Sequence, residues 1–207
     1  MELLTGFVLA GGRSSRMGAD KALLSLDGKN LLQHAMRIVA AVCPRAVIVG
    51  NPVRYGAFGE VFEDRVPGCG PLGGVHTALH VTSSDRNLIL SVDMPKMTAE
   101  FIRWLVNESA GGDELATVPQ VAGGNQPLCA VYRREMLPVI EEAMAAGEYK
   151  VDRVFARVAT RYLREPQINA AGFSADVFAN VNTPEEFELL KQHAPSPEPV
   201  NAEESCR

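Results

Sequence analysis

Short apolar runs and segments of helical periodicity alternate along this chain. The apolar runs predict strands at residues 6–9, 46–49, 60–64, 87–92, 115–119 and 129–132. Apolar residues at helical spacing predict helices at residues 31–42, 75–81, 99–108, 134–146, 151–158 and 187–193. Because strands and helices alternate, the pattern favours right-handed βαβ units and a parallel sheet.

The segment before the last helix carries two asparagines. Residues 176–182 are predicted to include a short strand, whose alternation places Asn180 and Asn182 on one face. Thr183, with Glu186 three residues later, has the pattern of a capping box that starts the helix. The capping box does not account for the two asparagines, whose amides are suited to a polar ligand.

The length of the chain predicts one domain. Domains typically contain ~100–200 residues, and this chain has 207. We expect the domain to occupy residues 1–193. Residues 194–207 are rich in proline and glutamate and have little to bury, so they are expected to form a disordered tail.

The first strand leads into a cationic glycine loop, residues 9–21, with the sequence LAGGRSSRMGADK. Gly11 and Gly12 carry no Cβ atom, so backbone N–H groups there can approach a polyanion. Arg16 and Lys21 add charged donors for phosphate oxygens. The loop matches neither the P-loop nor the dinucleotide fingerprint, because its glycine spacing differs and no hydroxyl follows the lysine. A basic surface turn is the alternative interpretation.

A second loop, residues 65–74, contains four glycines and two prolines. Such a composition exposes main-chain N–H and C=O groups, which can recognise a planar base. Gly70, Pro71 and Leu72 are therefore candidate nucleotide-binding residues. A tolerant surface loop is the alternative.

A carboxylate follows the apolar strand at residues 87–92. Asp93 lies at the carboxyl end of that strand, where ligands of open α/β sheets bind. A carboxylate there needs a partner, and Mg²⁺ bridging phosphates is a suitable one. Asp93 is thus a candidate catalytic and metal-binding residue; alternatively, it caps the turn or the helix that Thr98 starts. Asn125 and Gln126, in a later polar turn, are candidates for contact with a phosphate acceptor.

Composition and charge narrow the functional classes. The net charge of −5 argues against broad binding to nucleic acid. No apolar run is long enough to span a bilayer and no signal-peptide pattern is present, so we expect a cytoplasmic protein without membrane contact. The four scattered cysteines predict reduced thiols. His76 and His80 lie four residues apart without an HExxH pattern or a third ligand nearby in sequence, and are expected to be ordinary helix residues.

The glycine loop resembles the signature loop of nucleotidylyltransferases, and its Arg-Met-Gly and Asp-Lys spelling is most similar to the molybdenum cofactor guanylyltransferase family. Residues 63–64, 70–74, 92–95 and 180–186 also resemble motifs of that family. The sequence departs from the pattern at Gly50, which precedes Asn51, and at Gly73, where a small residue such as alanine is common. The resemblance implies a three-layer αβα Rossmann-like fold of the nucleotide-diphospho-sugar transferase (GT-A-like) type, with a mostly parallel sheet.

The resemblance also implies an activity and a set of site residues. The enzyme would transfer GMP from GTP to molybdenum-loaded molybdopterin and release pyrophosphate, with Mg²⁺ on Asp93. GTP would contact Leu9, Ala10, Gly11, Lys21, Asn51, Asp64 and Asp93, while Asn180 and Asn182 would face the pterin. Cofactor-delivery proteins or molybdoenzyme apoproteins would be its partners, and we expect a monomer.

Two other functions fit the same residues. One is a cytidylyl- or uridylyltransferase of the same fold that acts on another phosphate acceptor, which base preference would distinguish. The other is a non-catalytic adaptor that binds a nucleotide or the cofactor. The presence of both Lys21 and Asp93 argues against the adaptor, because a pure binder needs no metal-binding carboxylate.

Overall fold

A computed structural model describes residues 3–11, 20–26, 28–122 and 124–193 of the chain. The strands are β1 (Leu4–Leu9), β2 (Ser25–Leu26), β3 (Lys29–Asn30), β4 (Arg45–Val49), β5 (Val61–Phe62), β6 (Arg86–Ser91), β7 (Ala116–Val121), β8 (Gly124–Asn125), β9 (Cys129–Arg133) and β10 (Thr160–Arg164). The helices are α1 (Leu31–Ala40), α2 (Pro52–Tyr55), α3 (Pro71–Val81), α4 (Ala99–Glu108), α5 (Leu137–Ala145), α6 (Val151–Phe155), α7 (Glu165–Ala170) and α8 (Pro184–His193).

One mixed sheet organises the fold. Its strand order is β10-β7-β9-β6-β1-β4-β5, with β8 paired to β7. The pairs β6-β1, β1-β4, β4-β5 and β7-β10 are parallel, and β9 runs antiparallel to both of its neighbours. Strands β2 and β3 form a separate antiparallel hairpin. The predicted α/β fold with a mostly parallel sheet is confirmed.

Helices cover both faces of the sheet. Along β1, Val8 faces an apolar layer that includes Leu32 of α1 and Phe101 of α4, whereas Phe7 faces a second layer that includes Val75 of α3 and Ile140 of α5. Successive residues of a strand point to opposite faces, so a strand covered on both sides is mostly apolar. The apolar run at residues 6–9 of β1 follows from this three-layer arrangement.

Most predicted elements are present, and the differences have local causes. Helix α3 begins four residues earlier than predicted, because Pro71 fits the first helical position, where its missing N–H costs nothing. The predicted strand at residues 176–182 is wrong: Ala175–Phe178 is a 3₁₀ turn, and residues 179–182 are irregular. The Thr183 capping box is present, with the Glu186 backbone N–H donating to Thr183 Oγ1 at 3.2 Å. The proposed tail, residues 194–207, lies outside the described residues. Within the described ranges, no helix is both long and apolar enough to cross a bilayer.

The three described cysteines, Cys43, Cys69 and Cys129, are free thiols, as predicted. Burial raises the pKa of the Cys43 thiol to about 12, although the positive charge of Arg86 opposes the shift. Burial also raises the pKa of Cys129. Both thiols therefore stay protonated in the folded protein at pH values where the unfolded chain ionises them.

The free energy of unfolding is expected to fall between about pH 8.5 and pH 10. In that range the unfolded state binds fewer protons than the folded state, so stability decreases by up to about 1.4 kcal/mol per pH unit for each thiol. Urea unfolding at a series of pH values measures this slope. A Cys129→Ala variant should show a shallower slope than the parent, and an unchanged slope would contradict the assignment.

Candidate functional site

The candidate site lies at one edge of the sheet. The parallel strands β6, β1, β4 and β5 bring their carboxyl ends to this edge, where ligands of open α/β sheets bind. The antiparallel β9 begins at the same edge, since Ser91 N donates to Leu128 O at 2.7 Å. Residues that directly follow these four strands, or directly precede β9, are thus brought to a common edge.

Lys21, Asp93 and Asn182 meet at this edge. Lys21 Nζ lies 3.1 Å from Asp93 Oδ2 and 3.1 Å from Asn182 Oδ1. The Lys21 and Asp93 side chains are 15% and 22% exposed, so the ion pair is partly shielded from water but accessible to a ligand. These groups come from the end of the glycine loop, the end of β6 and the segment before α8, and the structure thus joins two predicted catalytic residues with a predicted acceptor residue.

Two contacts hold the asparagine segment against β6. Val181 N donates to Asp93 O at 3.0 Å, which ties the backbone beside Asn182 to the catalytic candidate. Phe178 packs edge-on against Phe101 of α4, with ring centroids 5.1 Å apart. Asp93 itself does not cap α4, because Thr98 Oγ1 accepts from Phe101 N at 3.2 Å. The alternative interpretation of Asp93 as that helix cap is therefore wrong.

Tyr55 connects the two described flanks of the glycine loop. Its hydroxyl lies 3.1 Å from Ala10 O and 2.9 Å from both carboxylate oxygens of Asp20. Burial, and then the hydrogen bond to Asp20, raise the pKa of Tyr55 above its usual value. Arg54 Nη1 also donates to Asp20 at 3.0 Å. The protonated hydroxyl and the guanidinium thus fix the chain immediately before Lys21.

The two departures from the family pattern are explained by side chains at this edge. A Cβ atom on Gly50 would lie 2.8 Å from the Tyr55 ring, so only glycine leaves the ring in place. A Cβ atom on Gly73 would lie 3.0 Å from Asp64 Oδ2 and from Val66 O. Each glycine therefore makes room for a neighbour that lies at the site.

Asn51 and Asp64, both predicted to bind the nucleotide, also have local structural roles. Asn51 Oδ1 caps α2 by accepting from Val53 N and Arg54 N at 2.9 and 3.1 Å. Asp64 Oδ1 accepts from Val66 N at 3.1 Å and from Thr77 Oγ1 at 3.3 Å. The Asp64 carboxylate is therefore already oriented by the start of the loop and by α3.

The predicted base-binding residues begin α3. Gly70 is the N-cap residue with φ 61°, a conformation that favours glycine, and no side chain caps the helix. Pro71 is exposed and Leu72 is buried. The first turn of α3 consequently presents backbone groups rather than a capping side chain, as the composition of the loop predicts.

The three other predicted acceptor residues lie in the described part of the chain, and two predicted phosphate-binding residues do not. Asn125 accepts from Gln120 Nε2 at 3.0 Å and donates to Asp152 Oδ1 at 2.8 Å, so its side chain ties β8 to β7 and α6. Gln126 lies in the turn before β9, and Asn180 is exposed near Asn182. Gly12 and Arg16, predicted to bind phosphate, lie outside the described residues.

Comparison with known proteins places this geometry in a family. The sequence profile of the MobA-like NTP transferase domain matches residues 6–165. The chain belongs to the MobA-like NTP transferase family. The molybdenum cofactor guanylyltransferases of Syntrophotalea carbinolica and Desulfosudis oleivorans are each 33% identical to it, over 94% and 91% of this chain and 94% of each relative.

A solved structure shares the fold of this MobA-like NTP transferase. The crystal structure of molybdopterin-guanine dinucleotide biosynthesis protein A from Archaeoglobus fulgidus superposes with a TM-score of 0.79 at 23% identity, covering 91% of this chain and 97% of that chain. At this identity the likeness establishes the fold alone.

Sequence reasoning missed two members of the site of this MobA-like NTP transferase, Tyr55 and the orienting role of Asp20. Tyr55 follows Asn51 by four residues, but a single tyrosine in a short polar segment carries no periodic signal. In the sequence, Asp20 is recognisable only as part of the Asp-Lys pair that ends the glycine loop. Their proximity depends on the pairing of β1 with β4, which brings residues 10 and 50 side by side.

A Tyr55→Phe change in this MobA-like NTP transferase is expected to lower the free energy of unfolding by about 1 kcal/mol. The reason is that Ala10 O and the Asp20 carboxylate lose the partly buried hydroxyl that they share as a donor. Its Michaelis constant for the nucleoside triphosphate should rise, since Lys21 directly follows Asp20. Urea unfolding and steady-state kinetics measure the two effects. Tyr149→Phe, a change at a half-exposed tyrosine, is the control. A Michaelis constant equal to that of the control would contradict the role of Tyr55.

Proposed function

We propose that this chain transfers GMP from GTP to molybdenum-loaded molybdopterin, forming the guanine dinucleotide cofactor and releasing pyrophosphate. The single observation that carries the proposal is the convergence of Lys21, Asp93 and Asn182 at the sheet edge. Lys21 Nζ lies 3.1 Å from both Asp93 Oδ2 and Asn182 Oδ1. The names of the full-length relatives supply the identity of the base and the acceptor.

The nucleotide phosphates are proposed to bind at the end of β1. Backbone groups of Leu9, Ala10 and Gly11 follow the strand, and Lys21 lies at the far end of the same loop. Gly12 and Arg16, from the loop between them, would complete the phosphate site. The Lys21 ammonium offers three donors, so it can exchange the oxygens it now contacts for phosphate oxygens.

The guanine base is proposed to bind between the end of β4 and the start of α3. Main-chain groups of Gly70 and Leu72, together with Pro71, would flank the base, because the first turn of α3 has no side-chain cap. The carboxylate of Asp64 can accept two N–H groups from guanine, and its orientation is already set by Thr77 and Val66. Asn51 Nδ2 remains a donor while Asn51 Oδ1 caps α2.

The residues present fit a magnesium ion. Asp93 Oδ2 and Asn182 Oδ1 both accept from the cationic Lys21 ammonium, and this shared contact with a positive charge supports the proposal. Carboxylate and amide oxygens are ligands that Mg²⁺ accepts. We therefore propose that Asp93, aided by Asn182, holds Mg²⁺. When bound there, the ion would neutralise charge on the α-phosphate and the departing pyrophosphate.

The chemical step exchanges one phosphoryl bond for another. A terminal phosphate oxygen of the acceptor attacks the α-phosphorus of GTP, the new P–O–P linkage forms, and the bond to the β-phosphate breaks with its electrons on pyrophosphate. Lys21 orients the β- and γ-phosphates and stabilises the negative charge that develops on the leaving group. No covalent intermediate on the protein is required.

The acceptor is proposed to approach from the β6–β9 side of the edge. Asn180 and Asn182 lie beside Asp93 through the Val181 contact, and Gln126 precedes β9 at the same edge. Asn125 would act through the shape of this turn, because its amide is bonded to Gln120 and Asp152. Delivery proteins or molybdoenzyme apoproteins would receive the product. We further propose that residues 1–193 form one domain, that the protein is a monomer, and that it is located in the cytoplasm.

Nucleotide selectivity tests the proposed function. Calorimetric binding of GTP, CTP, UTP and ATP in the presence of Mg²⁺ is followed by pyrophosphate release with molybdopterin as acceptor. We expect tight binding and turnover with GTP alone. Preference for CTP or UTP would favour the cytidylyl- or uridylyltransferase, and binding of GTP or molybdopterin without any pyrophosphate release would favour the adaptor. Either outcome would overturn guanylyl transfer.

A further inference from the structure

A second cluster of potential ligands lies away from the proposed transfer site, where α3 packs against α5. His76 and His80 lie on α3, and Glu141 lies on α5. One ligand atom from each of these three residues lies within 4.8 Å of the other two. The sequence offered no third ligand beside the histidines, and the packing of two helices that are distant in sequence supplies it.

The backbone already sets the positions of the two imidazoles. Residues four apart on a helix share a face, and the His76 and His80 rings have centroids 5.8 Å apart with planes inclined by 33°. An i, i+4 pair of histidines on one helix face is a spacing that binds zinc elsewhere. Helix α3 therefore presents two nitrogen ligands that need little reorganisation.

The distance between His76 and Glu141 suits a shared metal better than a strong hydrogen bond. His76 Nε2 lies 3.4 Å from Glu141 Oε1, beyond the usual range of N–H···O hydrogen bonds. With zinc–ligand distances of about 2.1 Å, two ligands of a tetrahedral site lie about 3.4 Å apart. The observed separation therefore matches one edge of such a site.

One residue of the cluster is buried, and the other two are exposed to solvent. His76 is 7% exposed, and its Nδ1 atom is buried without a hydrogen-bond partner among the described residues. His80 and Glu141 are exposed, so their side chains can rotate to close the remaining distance and an ion can enter from solvent. Among the residues described, one polar contact, to Glu141, holds the buried ring, and little would be lost if an ion replaced it.

We propose that His76, His80 and Glu141 bind a divalent transition-metal ion, with Zn²⁺ as the expected ion. Two imidazoles and one carboxylate suit Zn²⁺, whereas Mg²⁺ prefers oxygen ligands alone. The site is therefore chemically distinct from the oxygen-only set of Asp93 and Asn182. Three protein ligands leave one tetrahedral position to water.

His76 Nδ1 has no hydrogen-bond partner within the part of the chain that the structure describes, and this should limit the affinity of the cluster for a metal ion. Metal-bound histidines usually donate their second ring N–H to an acceptor, and loss of such a partner weakens binding by about 10- to 100-fold. We therefore expect a reversible site that responds to the zinc concentration. Binding would link α3 to α5 and should raise the melting temperature as the zinc concentration increases.

Cobalt spectroscopy tests the site without relying on enzymatic activity. The tag-free chain is titrated with Co²⁺ in a Cys206→Ser background, so that the thiol outside the described residues cannot compete. We expect visible d–d absorption of four-coordinate intensity, bleached by one equivalent of Zn²⁺ and unaffected by excess Mg²⁺. Absence of this absorption, or its loss on addition of Mg²⁺, would overturn the proposal.

Variants identify the ligands. His80→Ala should weaken Co²⁺ binding by at least about 100-fold, and Glu141→Gln by about 10-fold, since a ligand matters at least as much as its outer partner. Glu142→Gln, an exposed neighbour on the same helix, is the matched control and should bind as the parent does. Equal affinity in His80→Ala and the control would overturn the proposal. Because His76 is buried, its role is read from zinc-induced shifts of its ring resonances rather than from a substitution.

Discussion

An Asp93→Asn variant is expected to transfer GMP about 10³-fold more slowly than the parent at saturating GTP. The change keeps the size of the side chain but removes the negative charge that is proposed to hold Mg²⁺, and loss of charge stabilisation in the transition state typically costs this much. The Mg²⁺ concentration at half-maximal rate should also rise at least about tenfold. Pyrophosphate release at a series of Mg²⁺ concentrations measures both effects.

The control for this variant is a second aspartate, located beside the same strand. Asp85 is exposed at the opposite end of β6, so Asp85→Asn makes the same chemical change away from the site. The Asp93 ion pair is partly exposed, and its loss should alter the free energy of unfolding by no more than about 1 kcal/mol. A folded Asp93→Asn variant with an unchanged Mg²⁺ requirement would remove Asp93 from the metal site.

A Lys21→Ala variant is expected to lower kcat/KM for GTP by about 10²- to 10³-fold. Lys21 is proposed to bind the β- and γ-phosphates in both the ground state and the transition state, so KM should rise while kcat falls. The Mg²⁺ requirement should change little, since Asp93 and Asn182 remain. Steady-state kinetics with varied GTP separate the two constants.

Lys96→Ala is the matched control for Lys21→Ala. Lys96 is an exposed lysine three residues after Asp93, and its removal makes the same change in net charge close to the site. It should leave KM for GTP within about twofold of the parent, because exposed charges are screened by salt. Parent-like kinetics for Lys21→Ala would show that the lysine only neutralises Asp93 in the absence of substrate.

The sequence was sufficient for the central strands of the sheet and for the edge where we propose that ligands bind. Apolar runs occur at residues 6–9, 46–49 and 88–90 because helices cover both faces of β1, β4 and β6, and such runs can be recognised in the sequence alone. Asp93 could be singled out for the same reason, as a carboxylate directly after a buried strand. A polar residue that directly follows an apolar run in the sequence can thus be assigned to the edge of the sheet where the strand ends.

Elements near the carboxyl end of the described chain were harder to predict. Strand β10 and helix α7 were missed, because the alternating polar residues of Thr160–Arg164 resemble a surface segment. Residues 176–182 are predicted to include a short strand, yet Ala175–Phe178 forms a 3₁₀ turn. Its apolar residues Val177 and Phe178 pack against α4 and its neighbours. The conformation of such short segments is determined by the surface against which they pack.

Contacts between distant segments could not be derived from spacing. The hydroxyl of Tyr55 bridges Ala10 and Asp20, and Glu141 meets His76, only because β1 pairs with β4 and α3 packs on α5. The two glycines that depart from the family pattern are similar cases. Gly50 and Gly73 are explained by the Tyr55 ring and the Asp64 carboxylate, which no local pattern brings to them.

The contact between Lys21 and Asn182 has a consequence for protein synthesis. The two residues are separated by 161 positions, so the ribosome must make nearly the whole described chain before this contact can form. Domains generally fold as units, although the strands β1, β4, β5 and β6 are synthesised early. A nascent chain stalled before Asn182 would carry Lys21 and Asp93 without the third group of the proposed site, and we expect it to lack guanylyl transfer.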